Sequence, residues 1–286
     1  MTAECQKLPA CVRATDGYPL GGTWHIPKGE LKAAALVAGA MGVKSRYYDA
    51  FADDLAKHGI ASLTVDYRGV GLSRTHSLRG FHAGMMDWAE GDLQGAADAV
   101  QAKWPGLPFH WVAHSLGGQL MGFVRAPIRR ALFVSSQSGH WGHWKGGGKL
   151  AMAALWHVGI PLMVRATGKL PMKAAGQGED VPAGVGADWA RWGRHKKYFG
   201  PTIEAKGGAQ FRTWTGALRS YHFTDDWYVP RSAVQELIDT YERASERELK
   251  VVKPSDLGAS TVGHFGFFRP EFKNSLWAEA RGWLLS

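Results

Sequence analysis

Short strand-like apolar runs alternate with amphipathic helical stretches along most of this chain, a pattern that few folds accommodate. Residues 33–38, 60–67, 109–114, 131–136, 218–223 and 248–253 read as strands. Between them, Tyr48, Phe51, Ala52 and Leu55 share one helical face, with Ser45 placed to cap that helix and Gly59 to end it. A second helix from about Met85 carries Ala89, Leu93, Ala96, Ala97 and Val100 on its inner stripe, and a third contains Leu120, Met121 and Val124. Residues 232–243 align Val234, Leu237, Ile238 and Tyr241, and 277–285 close the chain as a helix. This alternation predicts an α/β protein with a mostly parallel sheet. Only the opening differs: residues 9–15 and 20–26, joined by Asp16-Gly17, read as a β-hairpin.

Between 139 and 210 the alternation fails, and a stretch rich in glycine, tryptophan and methionine replaces it. We therefore expect a core of residues 1–138 and 211–286 interrupted by an inserted cap, 139–210. A chain of 286 residues with 45% hydrophobic content and a mean hydropathy of -0.22 suits such a globular protein. No signal peptide is read at the N-terminus, and no run approaches the roughly 18 uninterrupted apolar residues of an integral membrane segment. The only cysteines, Cys5 and Cys11, fit a reducing compartment as well as any, so a cytoplasmic location is the expectation. The formal charge of +9 is scattered rather than clustered, with its densest run at Arg191, Arg194, Lys196 and Lys197. Without a nucleic-acid module it is read as surface charge, with acidic substrates or membrane headgroups as the alternative; no nucleic-acid partner is expected.

Three local constellations carry chemistry. In Ala113-His114-Ser115-Leu116-Gly117 a buried strand runs into a serine and then a helix, with small residues two before and two after. That is the requirement of a nucleophile elbow, whose sharp turn exposes the hydroxyl. Asp225-Asp226 follows the strand ending at Phe223, and His264 sits in Val262-Gly263-His264-Phe265-Gly266 after the last strand. Each residue alone has a structural explanation, helix capping for the aspartates and packing for the histidine. Together they give serine, aspartate and histidine in chain order, each at a strand's C-terminal end, where this architecture places its site. His114 is assigned to packing or a core hydrogen bond, and Gly69 and Gly71 to turns, since no P-loop lysine follows. His140, Trp141, His143 and Trp144 lack a matching carboxylate or cysteine pattern, so no metal and no cofactor are expected.

These pieces resemble the α/β-hydrolase superfamily, particularly its bacterial predicted α/β-hydrolases. The likeness extends to Asp66-Tyr67-Arg68-Gly69-Val70-Gly71-Leu72-Ser73, Gly178-Glu179-Asp180-Val181-Pro182 and Trp189-Ala190-Arg191-Trp192. It implies the α/β-hydrolase fold, with an eight-stranded sheet and a cap between the sixth and seventh strands. Ser115 would be the nucleophile, His264 the general base and Asp226 the carboxylate orienting it, with Asp225 the alternative. Many relatives place the acid four residues before a proline, as Asp226 stands before Pro230. Where many relatives carry His-Gly after the third strand, this chain has Gly39-Ala40-Met41-Gly42. An oxyanion hole needs backbone N–H groups, so Met41 and Leu116 are the candidate donors.

The expected activity is a carboxylesterase-like serine hydrolase acting on a small hydrophobic ester. The apolar wall over Ser115 would come from Trp141, Trp144, Met152, Trp156, Met163, Met172, Trp189 and Trp192. Rival readings are an amidase or thioesterase, a lyase or acyl transferase, and a ligand-binding receptor.

Overall fold

The computed structural model describes residues 4–176, 178–206 and 208–286. β1 (Cys5–Arg13) and β2 (Pro19–Pro27) form the antiparallel hairpin, with Cys5 opposite Pro27 and Arg13 opposite Pro19. β1 starts earlier than the pattern suggests because it is the sheet's outer strand. Its polar residues Gln6 and Lys7 face solvent and leave no periodic signature, and an edge strand accepts Pro9, which has no amide to donate.

The parallel strands follow: β3 (Ala33–Ala38), β4 (Ile60–Val65), β5 (Phe109–His114) and β6 (Ile128–Val134). Two dipeptide strands, β7 (Lys169–Leu170) and β8 (Val181–Pro182), pair only with each other. β9 (Ala217–Phe223) and β10 (Glu246–Val252) complete an eight-stranded sheet of order β1-β2-β4-β3-β5-β6-β9-β10. Every pairing from β4 to β10 across that order is parallel.

Both faces of the sheet are covered, which is why β3 reads as an unbroken Ala-Ala-Ala-Leu-Val-Ala run. Ala34, Leu36 and Ala38 join one core with Trp88, Leu93 and Val100, while Ala33, Ala35 and Val37 join the other with Phe51, Leu55 and Trp277. α1 (Asp49–Lys57) buries Phe51, Ala52 and Leu55 as expected. Ser45 does not cap it. A turn of 3-10 helix intervenes, and the buried Ser45 instead donates its backbone N–H to Asp66 Oδ1 at 2.5 Å.

α2 (Gln94–Lys103) is preceded by a π-helical segment, Asp87–Leu93. α3 (Leu116–Leu120) is shorter than the apolar spacing implies, because Val124 is buried in extended backbone after a 3-10 turn. The arginine of the Asp66–Ser73 loop holds two elements at once. Arg68 Nε donates to buried Asp92 Oδ1 at 2.7 Å, and its terminal nitrogens reach both oxygens of Asp16 in the hairpin turn at 2.6 and 2.9 Å.

Between β6 and β9 no strand among the described residues joins the main sheet. This stretch contains a continuous helix, Gly146–Thr167, and a second one, Ala183–Arg194, packed against it. The first is long enough and apolar enough to meet the length and composition of a membrane span, although Lys149, His157 and Arg165 interrupt its apolar run.

Candidate active site

Ser115 occupies the single residue between β5 and α3, at φ 51° and ψ −110°. A side-chain-bearing residue in the left-handed region is strained, and here the surroundings impose it. α3 crosses β3 so closely that a Cβ on Gly117 would lie 2.2 Å from the Ala38 carbonyl oxygen. Only glycine fits, as the elbow motif requires. Leu116 opens the helix, so its N–H has no intrahelical acceptor.

The two adjacent aspartates diverge. Asp226, buried, places Oδ2 2.8 Å from His264 Nδ1 and takes the Tyr228 amide on Oδ1 at 3.1 Å. Asp225 Oδ2 instead accepts from Thr261 Oγ1, Val262 N and Gly263 N at 2.8 to 3.0 Å, bracing the segment that carries His264. Burial pushes the Asp225 carboxyl up, but these three donors outweigh it and hold it below the usual carboxylate range.

His114 is buried, and it links the nucleophile's strand to two loops. Burial, followed by the neighbouring His264, pushes its pKa well below the ordinary histidine value, so the ring is neutral. One nitrogen must then accept and the other donate. Ala40 N–H donates to Tyr48 Oη at 2.8 Å, leaving the Tyr48 hydroxyl to donate to His114 Nδ1 at 2.9 Å. His114 Nε2–H then donates to the backbone oxygen of His264 at 2.9 Å. A buried chain of hydrogen bonds thus runs from the Gly39–Gly42 loop to the histidine of the aspartate pair.

The same loop is held from the segment between β6 and β9. Glu179 N–H donates to the Gly42 carbonyl at 2.7 Å, while its carboxylate takes the Gly71 amide at 2.9 Å and pairs with Lys44 at 2.6 Å. Gly42 (φ +68°) and Gly178 (φ +104°) meet at this contact, where a Cβ on Gly178 would sit 2.5 Å from Gly42 O. The segment Gly178-Glu179-Asp180 is therefore a clamp on the loop after β3.

Ser115, Leu116, Met41 and His264 all line one cavity of about 280 Å³. Its remaining wall is mostly apolar and includes four tryptophans and three methionines. That volume lies at the small end of ligand pockets, which run from about 300 to 1,000 Å³.

Residues 29–131 match the serine aminopeptidase family S33. No curated protein sequence matches the chain. Among solved structures, a soluble variant of monoglyceride lipase from Saccharomyces cerevisiae, in complex with a substrate analog, aligns at TM-score 0.66 and 17% identity, covering 97% of this chain and 94% of that one. An esterase from Exiguobacterium antarcticum aligns at 0.60 and 13%, covering 98% and 100%. A Pyrococcus furiosus esterase aligns at 0.59 and 13%, covering 98% and 91%. The chain has the α/β-hydrolase fold.

Within this fold the sequence-derived candidates gather as follows. Ser115 and His264 share the cavity, and His264 bonds Asp226 rather than Asp225. Of the expected apolar wall, Trp144, Met152, Trp156, Met163, Met172 and Trp189 line it. Trp141 and Trp192 do not: Lys149 lies over the Trp141 ring, and Trp192 packs on Phe123 and Phe199 and donates to Thr202.

Sequence reasoning missed Gln119, Gln137 and Trp227, which also line the cavity. Gln119 was within reach, four residues after Ser115 and hence on the same helical face. Gln137 follows the end of β6, and its buried Oε1 has no partner among the described residues. Trp227, next to Asp226, is 65% exposed, and nothing local marks it.

His143, which lacked a carboxylate in sequence, meets Glu236 at 2.8 Å. Cys5, His25 and Asp53 converge within 4.8 Å, but Lys7 already neutralises Asp53 at 2.7 Å.

Proposed function

We propose that this protein is a serine hydrolase that cleaves a carboxylic ester of a small hydrophobic molecule through an acyl-enzyme on Ser115. The observation that carries the reading is the joint placement of a strained Ser115 and an Asp226-bonded His264 on one apolar cavity. His264 Nε2 takes the Ser115 proton as Oγ attacks the carbonyl carbon, and Asp226 holds the tautomer that leaves Nε2 free to accept. The backbone N–H groups of Met41 and Leu116 receive the oxyanion; losing one such donor typically costs about 2.7–4 kcal/mol of barrier. The intermediate collapses by breaking its bond to the alcohol oxygen, which leaves with the proton from His264; water, deprotonated by the same imidazole, then attacks the acyl-enzyme and releases the acid as Ser115 Oγ regains its proton. Residues 139–210 act as the cap in this reading, between core segments 1–138 and 211–286.

An aminopeptidase, the activity in the matched family's description, must hold a substrate ammonium group. None of the described residues lining the cavity is acidic. This favours a neutral ester with an apolar acyl or alcohol part. No metal or organic cofactor enters the scheme.

A fluorophosphonate should label Ser115 once per chain, and Ser115→Ala should abolish labelling and the turnover of a chain-length series of aryl esters while the fold persists. Matched anilides and thioesters in the same series separate ester from amide or thioester preference. Labelling at another serine, or full turnover by Ser115→Ala, overturns the assignment.

A further inference from the structure

The cap helix Gly146–Thr167 is apolar on both sides. Met152, Leu155, Trp156, Ile160 and Met163 line the cavity. On the other side Leu150, Val158 and Leu162 are 74%, 53% and 60% exposed, and with Ala154 between them they recur at four-residue steps along one stripe. Over eighteen of its residues the mean hydropathy is 1.3, yet only 11% of that stretch is buried. An apolar helix face belongs inside a protein or against lipid, and this helix, interrupted only by exposed Lys149, His157 and Arg165, has a partner on one side only.

The surrounding charge says what covers the other side. Residues 139–176 contain five lysines and arginines and no aspartate or glutamate, although the whole chain has 25 acidic residues. Lys145 and Lys149 stand exposed at the start of the stripe and Arg165 at its end. The opposed cationic faces of a second copy would repel each other. An anionic lipid surface would meet both the stripe and its basic flanks, which is the composition of an interfacial helix.

A crossing of the bilayer would strip the inner face from its contacts. Trp156 packs so closely on Gly193 that a Cβ there would lie 2.6 Å from its ring, and Val164 meets Gly186 in the same way at 2.9 Å.

We propose that the outer face of helix Gly146–Thr167 docks the protein peripherally on an anionic membrane surface, laying the helix that walls the catalytic cavity against lipid. Docking does not depend on the ester chemistry. Its readout, sedimentation with vesicles, is unaffected if the hydrolase reading fails.

The test compares vesicles of phosphatidylcholine alone with vesicles containing phosphatidylglycerol, at low and high salt. The protein should pellet with the anionic vesicles, and binding should fall roughly tenfold or more without phosphatidylglycerol or at high salt. Leu150→Ser/Val158→Ser/Leu162→Ser should lose at least about tenfold. Lys149→Glu/Arg165→Glu, which leaves the stripe whole, should lose a similar factor and keeps the test decisive if the serine variant does not fold. Failure of the wild-type chain to pellet, or unchanged binding of either folded variant, overturns the proposal. So does binding that resists an alkaline carbonate wash, which would mark an integral segment. A dimer in sedimentation equilibrium that the serine substitutions make monomeric also overturns it.

Discussion

Tyr48→Phe removes one oxygen from the centre of the buried chain between Ala40 and His264 and leaves the ring packing in place. Tyr48 is 1% exposed, and its ring keeps its edge-on contact with Phe268 at 4.9 Å. What is lost is an acceptor for the Ala40 amide and a donor for His114 Nδ1. Each stranded buried group costs about 1–3 kcal/mol, so the pair should cost about 2–6 kcal/mol of stability. For a chain of this size that is a fall of about 3–10 °C in Tm. Ala40 also precedes Met41, so its loop should relax within the proposed oxyanion hole. Loss of a whole donor costs about 10²–10³ in kcat, and a displaced one should cost roughly tenfold, with KM little changed. Thermal melts with aryl-ester kinetics on the same preparation read both effects. A variant that melts within about 1 °C of the wild type and keeps its kcat would refute the coupling of this chain to stability and catalysis.

Asp226→Asn should lower kcat by orders of magnitude with little change in Tm, because the amide favours the wrong His264 tautomer. Asp225→Asn should act through stability, and with a pH signature. Its carboxyl is held below the usual range when folded, so its contribution is full above the unfolded value of about 3.9 and is lost as pH falls through the lower folded value. The difference in melting temperature between Asp225→Asn and wild type should therefore close in acid; a gap that widens there would sink the assignment. Arg68→Ala strands the fully buried Asp92 and should cost about 3–5 kcal/mol. Arg68→Ala/Asp92→Asn should recover part of that loss, and strictly additive losses in urea melts would show that the two do not act as a pair.

What the chain discloses by sequence depends on where its partners lie. β3 and β5 were legible because both faces are buried, which writes a continuous apolar run bounded by turn residues. The elbow was legible because its demands fall within a few neighbouring positions. β1 lost its first residues because an edge strand's exposed side chains carry no period. α3 was overextended because apolar spacing reports burial, and Val124 is buried without being helical. The choice between Asp225 and Asp226 needed the side-chain directions, since the local motif offers both. The contacts of Glu179 with Gly71, at a separation of 108 residues, and of His114 with His264, at 150, leave no local trace. Helix Gly146–Thr167 escaped a search for uninterrupted apolar residues because Lys149, His157 and Arg165 punctuate it.

The Glu179 clamp has a consequence for traffic through the site. Were the whole proposed cap to swing off the sheet, it would pull the Glu179 amide from Gly42 and its carboxylate from Lys44 and Gly71, slackening the loop proposed to face the oxyanion. Molecules entering or leaving while the loop stays set must therefore pass where the cap is not fastened in this way. That leaves the breathing of the protein to parts that hold none of the reacting atoms, so the rate of product escape and the rate of bond cleavage become separately tunable by mutation.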